Sequence, residues 1–245
     1  MRWLWFREMT TVTSLSGPAV PRLVGAAFVF QFTTSLSAGL LTTSSLSGDI
    51  GTVLATTGAD ATQMRVFVVL ELFTAVGIIA LTSLLLVALR DTIPSVATVA
   101  FALWLAEATL LAVSMLGITA LVDLGSASIG SGSEVSPSDA AVGTFALGLQ
   151  ENARNIDMLF FGAGAVLWYS LFVRTRFVPR WLGIWGLVSV VLVLVATLVL
   201  VWDHHQQPPL VLYAPYVPFE LVVGVWLLVK GSPGWPTTAG GPAGP

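Results

Sequence analysis

The sequence predicts an all-α fold: a polytopic membrane bundle of six transmembrane helices with both termini in the cytoplasm. Three observations predict it. Charged residues make up 9% of the 245 residues, against about 25% in a soluble domain. Hydrophobic residues make up 56% and the mean hydropathy is +0.89, so a soluble fold lacks polar surface and a disordered chain is excluded by the same count. Six stretches reach or approach the ~20 mostly apolar residues that a crossing needs.

Residues 1–22 read as a cytoplasmic amphipathic segment, with Trp3, Trp5 and Phe6 as interfacial anchors beside Arg2 and Arg7. The next apolar run begins only after Pro21-Arg22, so a retained helix fits better than a cleaved signal peptide, whose apolar region lies nearer the start. The transmembrane domain then covers 23–230. Its first span, 23–43, carries Gln31; the second is 66–89 and the third 95–122. The fourth, 156–173, has a polar helical lead-in from about residue 138. The fifth, 181–202, is the most apolar, and the sixth is 212–230. The connections 44–65, 90–94, 123–137, 174–180 and 203–211 are rich in Gly, Ser, Asp and Pro and read as loops. Residues 231–245 form a Gly/Pro-rich tail that reads as disordered.

Orientation follows from the basic residues. With the N-terminus inside, Arg2, Arg7, Arg22, Arg90, Arg174, Arg176, Arg180 and Lys230 are cytoplasmic, and only Arg65 and Arg154 are outside. A parallel internal repeat is also visible, since Val20-Pro21-Arg22-Leu23-Val24-Gly25 and Val178-Pro179-Arg180-Trp181-Leu182-Gly183 open corresponding spans. The simpler reading is that Pro-Arg openings suit any cytoplasmic helix start.

Several chemistries are excluded or left without support. The chain has no Cys, which removes thiolate metal sites, iron–sulfur clusters and Cys nucleophiles. No phosphate-loop, zincin or hydrolase-elbow motif occurs. The two His, His204 and His205, are adjacent and cannot supply haem ligands from separate helices. Asp203-His204-His205 is better read as a solvated loop than as a metal site, so no metal and no cofactor is expected. The net charge of −3 argues against nucleic acid as a partner.

Chemistry-bearing residues inside the spans are few. Glu71, Glu107 and Glu220 lie in three different spans. By helical rise, Glu71 is roughly 8 Å and Glu220 roughly 12 Å below the outer boundary, and Glu107 is about 18 Å from the inner end of its span. All three can meet in the outer half of one bundle. Gln150, Arg154 and Asp157 share a stripe at the start of the fourth span, where Arg154 can pair with Glu151, with Asp157 or with a span Glu. Tyr213, Tyr216, Glu220 and Gly224 share another stripe, so a phenol can reach the carboxylate, and Gln31 can add an amide. Trp104 and Ser114 flank Glu107. Intramembrane carboxylates are costly and mark ion, proton or ligand sites. The plainer alternative is interhelical hydrogen bonding that holds the bundle together. The candidate ligand-binding residues are therefore Glu71, Glu107, Glu220, Arg65, Arg154, Asp157, Tyr216 and Gln31.

The segments Leu159-Phe160-Phe161-Gly162, Arg176-Phe177-Val178-Pro179-Arg180-Trp181-Leu182-Gly183-Ile184-Trp185-Gly186, Pro218-Phe219-Glu220-Leu221 and Gly224-Val225-Trp226-Leu227-Leu228-Val229-Lys230-Gly231 carry a likeness to known proteins. With Leu103-Trp104-Leu105-Ala106-Glu107-Ala108 and the Arg65/Glu71 helix, the chain resembles the bacterial membrane protein family designated domain of unknown function 4386. The most specific part is Pro179-Arg180-Trp181-Leu182-Gly183. The resemblance implies a six-span protein of the bacterial inner membrane. It implies no activity, so no catalytic role passes to any residue.

Three functions remain open. The first is binding of a small molecule, lipid or ion in an outer-facing carboxylate cavity, as in a transporter-like protein, a sensor or an accessory subunit. The partners expected are then the lipid bilayer and a small hydrophobic or cationic ligand. The second is an intramembrane enzyme acting on a lipid or isoprenoid, with Glu107 or Glu220 as general acid. The third is a structural subunit of a larger membrane complex. A lipid-facing carboxylate would favour the third, and an elongated apolar cavity the second.

Overall fold

The computed structural model describes residues 19–42, 46–131, 135–202 and 210–234. The anchor around Trp3, Trp5 and Phe6, the Asp203-His204-His205 segment and the tail from residue 235 lie outside these described residues. The described chain is helical throughout: α1 (Ala19–Thr42), α2 (Ile50–Ala59), α3 (Ala61–Leu89), α4 (Pro94–Ser131), α5 (Pro137–Thr175), α6 (Arg180–Trp202), a 3-10 turn (Leu210–Leu212) and α7 (Tyr216–Lys230).

Local chemistry sets most of these boundaries. Pro94 and Pro137 stand at the first positions of α4 and α5, where the missing N–H leaves no bond unmade. Ser136 caps α5: its hydroxyl accepts the Asp139 N–H at 3.1 Å and donates to the Asp139 carboxylate at 2.7 Å. Arg176 ends α5 in the left-handed conformation, φ 55°. Asp49 caps α2 by accepting the Thr52 N–H and hydroxyl at 3.1 and 2.7 Å.

Five helices, α1, α3, α4, α5 and α6, are long and apolar enough to cross a membrane. Over an 18-residue apolar stretch of each, between 33% and 44% is buried inside the protein. Most of the remaining surface is apolar, with Phe73, Val76, Leu116, Val188 and Leu198 exposed along it, as a lipid-facing surface requires. The chain is therefore a multi-pass helical membrane protein.

The sixth predicted span, 212–230, differs. The helix there has 15 residues, fewer than the ~20 of a full crossing. The reason is local. Pro215 and Pro218 lack N–H donors, so the chain makes the 3-10 turn and a Tyr213–Tyr216 backbone bond at 3.0 Å before α7 begins.

Two predicted loops are also partly helical. Segment 44–65 contains α2, and segment 123–137 is helical as far as Ser131. Two of their Gly residues serve packing: α2 crosses α4 so closely that a Cβ on Gly58 would collide with the Gly125 backbone. After α7, Gly234 lies against the Thr175 and Arg176 carbonyls.

The helices close into a ring in the order α1, α3, α4, α5, α6, α7 and back to α1, with α2 laid on α4. Two apolar cores fill it. The larger contains Phe28, Leu81, Leu85, Trp168, Tyr169, Phe172, Phe219 and Val223. The smaller, at the α2 end, contains Ala38, Leu54, Met64, Phe67, Ile118, Leu121 and Ala146. On α3 the chain passes from Phe67 in the smaller core to Ala75 in the larger, and Glu71 and Thr74 lie between them. On α1, Gln31 lies between Phe28 and Ala38; on α5, Arg154 and Asp157 lie between Ala146 and Phe161. The bundle therefore carries one polar layer between two apolar ones.

Candidate functional site

That layer contains a cavity of about 220 Å³. Seven of the eight predicted residues line it: Gln31, Glu71, Glu107, Arg154, Asp157, Tyr216 and Glu220. They come from α1, α3, α4, α5 and α7. Arg65 does not line it. Arg65 lies six residues before Glu71, about 120° around the helix, and faces a surface crevice shared with Asp123.

The α7 side of the cavity is a hydrogen-bonded chain. Glu220 Oε1 accepts from Gln31 Nε2 at 2.7 Å and from the Tyr216 hydroxyl at 2.8 Å. The Tyr216 and Tyr169 hydroxyls are 2.9 Å apart. A phenol has one proton to donate. With the Tyr216 proton committed to Glu220, Tyr169 is the donor to Tyr216. Tyr169 is fully buried and packs edge-on against Phe219, with ring centroids 5.0 Å apart, which fixes the far end of the chain.

The opposite wall is acidic and poorly satisfied. Glu71, Glu107 and Asp157 are 5%, 8% and 2% exposed. One oxygen of each, Glu71 Oε2, Glu107 Oε2 and Asp157 Oδ2, is buried with no hydrogen-bond partner. Arg154 Nη1 stands 3.5 Å from Asp157 Oδ2, an ion pair rather than a short hydrogen bond. Glu151, the other predicted partner of Arg154, is exposed. Among the described residues no three acidic or His side chains converge closely enough to hold a metal ion.

Trp104 and Ser114, predicted to flank Glu107, both turn inward. The Trp104 indole donates to the Phe161 carbonyl at 3.1 Å and stacks on the Phe161 ring. It thereby closes the floor beneath Glu107, where the two line a small extension of the cavity with Phe161 and Glu220. Ser114 returns its proton to the Leu111 carbonyl at 2.7 Å and is part of α4 rather than of the site.

Sequence reasoning missed Tyr169, Ser35 and Thr74. Ser35 and Thr74 line the cavity; as small hydroxyl residues in apolar helices they carry no signal of their own. Tyr169 had one. The chain contains three Tyr: Tyr213 and Tyr216 line the cavity and Tyr169 sits one hydrogen bond behind it.

A helical membrane bundle enclosing a carboxylate-lined cavity defines the class of protein. Within it, the chain belongs to the family described as Domain of unknown function (DUF4386), whose model matches residues 23–231. No curated protein and no solved structure matches the chain.

Proposed function

We propose that this chain is a six-span protein of the bacterial cytoplasmic membrane, with both termini in the cytoplasm, and that it binds a small organic cation in the cavity of its outer half, as a transporter-like protein, sensor or accessory subunit would. The orientation rests on the eight basic residues that fall on one side and the two on the other. The sixth crossing is α7 together with the 3-10 turn that precedes it, since apolar chain runs from Leu210 to Val229.

The observation that carries the ligand is the pair of buried carboxylate oxygens without a partner, Glu71 Oε2 and Glu107 Oε2, around one cavity in which Asp157 Oδ2 has only the 3.5 Å ion pair to Arg154. A carboxylate kept from water is costly until donors reach it. Four carboxyl groups face one guanidinium there, so the missing donors belong to a cation. Among the described residues no three acidic groups are grouped to hold a metal ion. A ligand with several N–H groups, an alkylammonium or guanidinium compound, offers donors to carboxylates that come from α3, α4 and α5. Five charged side chains reach the cavity between apolar ones such as Leu111, Phe161 and Val193, which supports binding of a cation that carries a short apolar part. Glu71 and Glu107 turn away from lipid, which supports a ligand site over a lipid-facing contact with another subunit.

The test is calorimetry on the protein in nanodiscs with methylammonium, guanidinium and putrescine. Urea and tetramethylammonium serve as controls that lack the charge and the N–H groups respectively. At least one N–H-bearing cation binds saturably, both controls fail, and Glu107→Gln weakens binding at least tenfold while the protein stays folded. Binding of none of the three, or binding by Glu107→Gln and Glu71→Gln as tight as by the unmodified chain, overturns the proposal.

A further inference from the structure

Arg65, displaced from the central cavity, belongs to a second feature. Along the lipid-facing seam of α3 and α4 lie two adjoining hollows, of about 230 Å³ and 450 Å³. The first is lined by Arg65, Val68 and Val69 from α3 and by Thr119, Val122 and Asp123 from α4. The second is wholly apolar but for Thr109, with Leu72, Val76 and Ile79 facing Ala112, Val113 and Leu116. The helices are antiparallel, so Arg65 stands level with Asp123, Val69 with Thr119, Leu72 with Leu116, Val76 with Ala112 and Ile79 with Thr109. One groove therefore runs from a charged head to an apolar foot. It spans 15 residues of α3, from Arg65 to Ile79, about 21 Å. One leaflet of hydrocarbon is about 15 Å deep, half of the ~30 Å core; the groove has the length of an acyl chain and its headgroup region.

The head of the groove carries one cation and one anion. Arg65 and Asp123 are both exposed. Among the described residues neither is in an ion pair, with the other or with any third side chain. Arg65 is the fifth residue of the 29-residue α3, at the depth where a long span leaves the hydrocarbon and meets phosphate groups.

We propose that this seam is a binding site for a zwitterionic aminophospholipid. The phosphate is held by Arg65, the ammonium by Asp123, and one acyl chain lies in the groove over Ala112 between Val76 and Leu116. An anionic headgroup without the ammonium meets Asp123 as a like charge, so the site discriminates phosphatidylethanolamine from phosphatidylglycerol. Thr109 does not disturb the apolar foot, because its hydroxyl donates to the Leu105 carbonyl at 2.8 Å.

Native mass spectrometry reads this directly. The full chain is released from vesicles of equal phosphatidylethanolamine and phosphatidylglycerol and delipidated stepwise. One phosphatidylethanolamine stays bound after the bulk lipid is gone. Ala112→Phe, which fills the groove from its lipid side, loses most of that bound species. Asp123→Ala leaves a lipid bound but lowers the preference for phosphatidylethanolamine severalfold, and Arg65→Ala weakens retention of both lipids. Retention of no phospholipid, equal retention of the two by the unmodified chain, or unchanged retention by Ala112→Phe overturns the proposal. So does a dimer of the unmodified chain that Ala112→Phe dissociates, which assigns the groove to a second copy.

Discussion

Gln31 on α1 donates its amide N–H to Glu220 on α7 at 2.7 Å, joining the first and last helices of the ring across 189 residues of sequence. The Tyr216 hydroxyl meets the same oxygen, so two donors share Glu220 Oε1. Neither donor can be lost without leaving the other alone on a partly buried carboxyl group. Gly77 makes the arrangement possible: a Cβ there would stand 2.9 Å from the Gln31 Cβ, so only Gly lets α3 approach α1 at this level.

Replacing Gln31 with Leu therefore destabilises the protein by about 1–2 kcal/mol, the range of an interhelical hydrogen bond to a charged or buried group. Tyr216→Phe has a similar effect. Because the donors share one acceptor, the double variant departs from the sum of the singles. Denaturant titration in mixed micelles measures all three. Strict additivity shows that the two donors act independently.

Arg154 and Asp157 form a pair in which the carboxylate is buried and the guanidinium side chain is 36% exposed. Arg154→Leu leaves Asp157 without its nearest cation. The expected cost is about 2 kcal/mol, below the ~3–5 kcal/mol for breaking a fully buried pair. Asp157→Asn, added to Arg154→Leu, restores part of the loss. Thermal unfolding in detergent checks it: equal stability of Arg154→Leu and the parent shows that the guanidinium merely reaches out to the headgroups.

Asp49 couples α2 to pH. The hydrogen bonds from Thr52 hold its carboxyl below the ordinary value of 3.8, so the folded chain takes up this proton less readily than the unfolded one. The stabilisation is complete above that ordinary value and is lost as the pH falls through the lower folded one. Amide exchange over 50–59, corrected for intrinsic rate, accelerates only under acid conditions, and Asp49→Asn removes that dependence. Acceleration on the alkaline side would assign the effect to another group.

Membrane topology has a direct readout. Reporter fusions after Thr57 and Gly130 report the extracytoplasmic side, and fusions after Thr92 and Gly231 the cytoplasmic side. The Gly231 fusion bears on α7, because an extracytoplasmic signal there means that the 15-residue helix does not complete a crossing.

The five long spans were legible in the sequence because a bilayer rewards hydrophobicity directly: a run such as 181–202 needs no partner to identify it. So was the shared depth of Glu71, Glu107 and Glu220, since a fixed rise per residue converts position into height. The pairing of Tyr216 with Glu220 followed from their spacing of four, one helical turn. What the sequence could not convey was which way each polar group turns about its helix relative to its neighbours. Arg65 and Glu71 lie less than two turns apart on one helix, yet Arg65 faces the α3–α4 seam and Glu71 the cavity, a distinction made only by packing. The Gly- and Ser-rich stretches misled for the same reason. Gly58 and Gly125 read as loop residues, but in the fold they are the contact at which α2 and α4 come together. Burial in lipid is a property of each segment alone and is written in composition. The cavity, the Gln31–Glu220 bond and the α3–α4 groove are relations between segments, and only tertiary packing decides them.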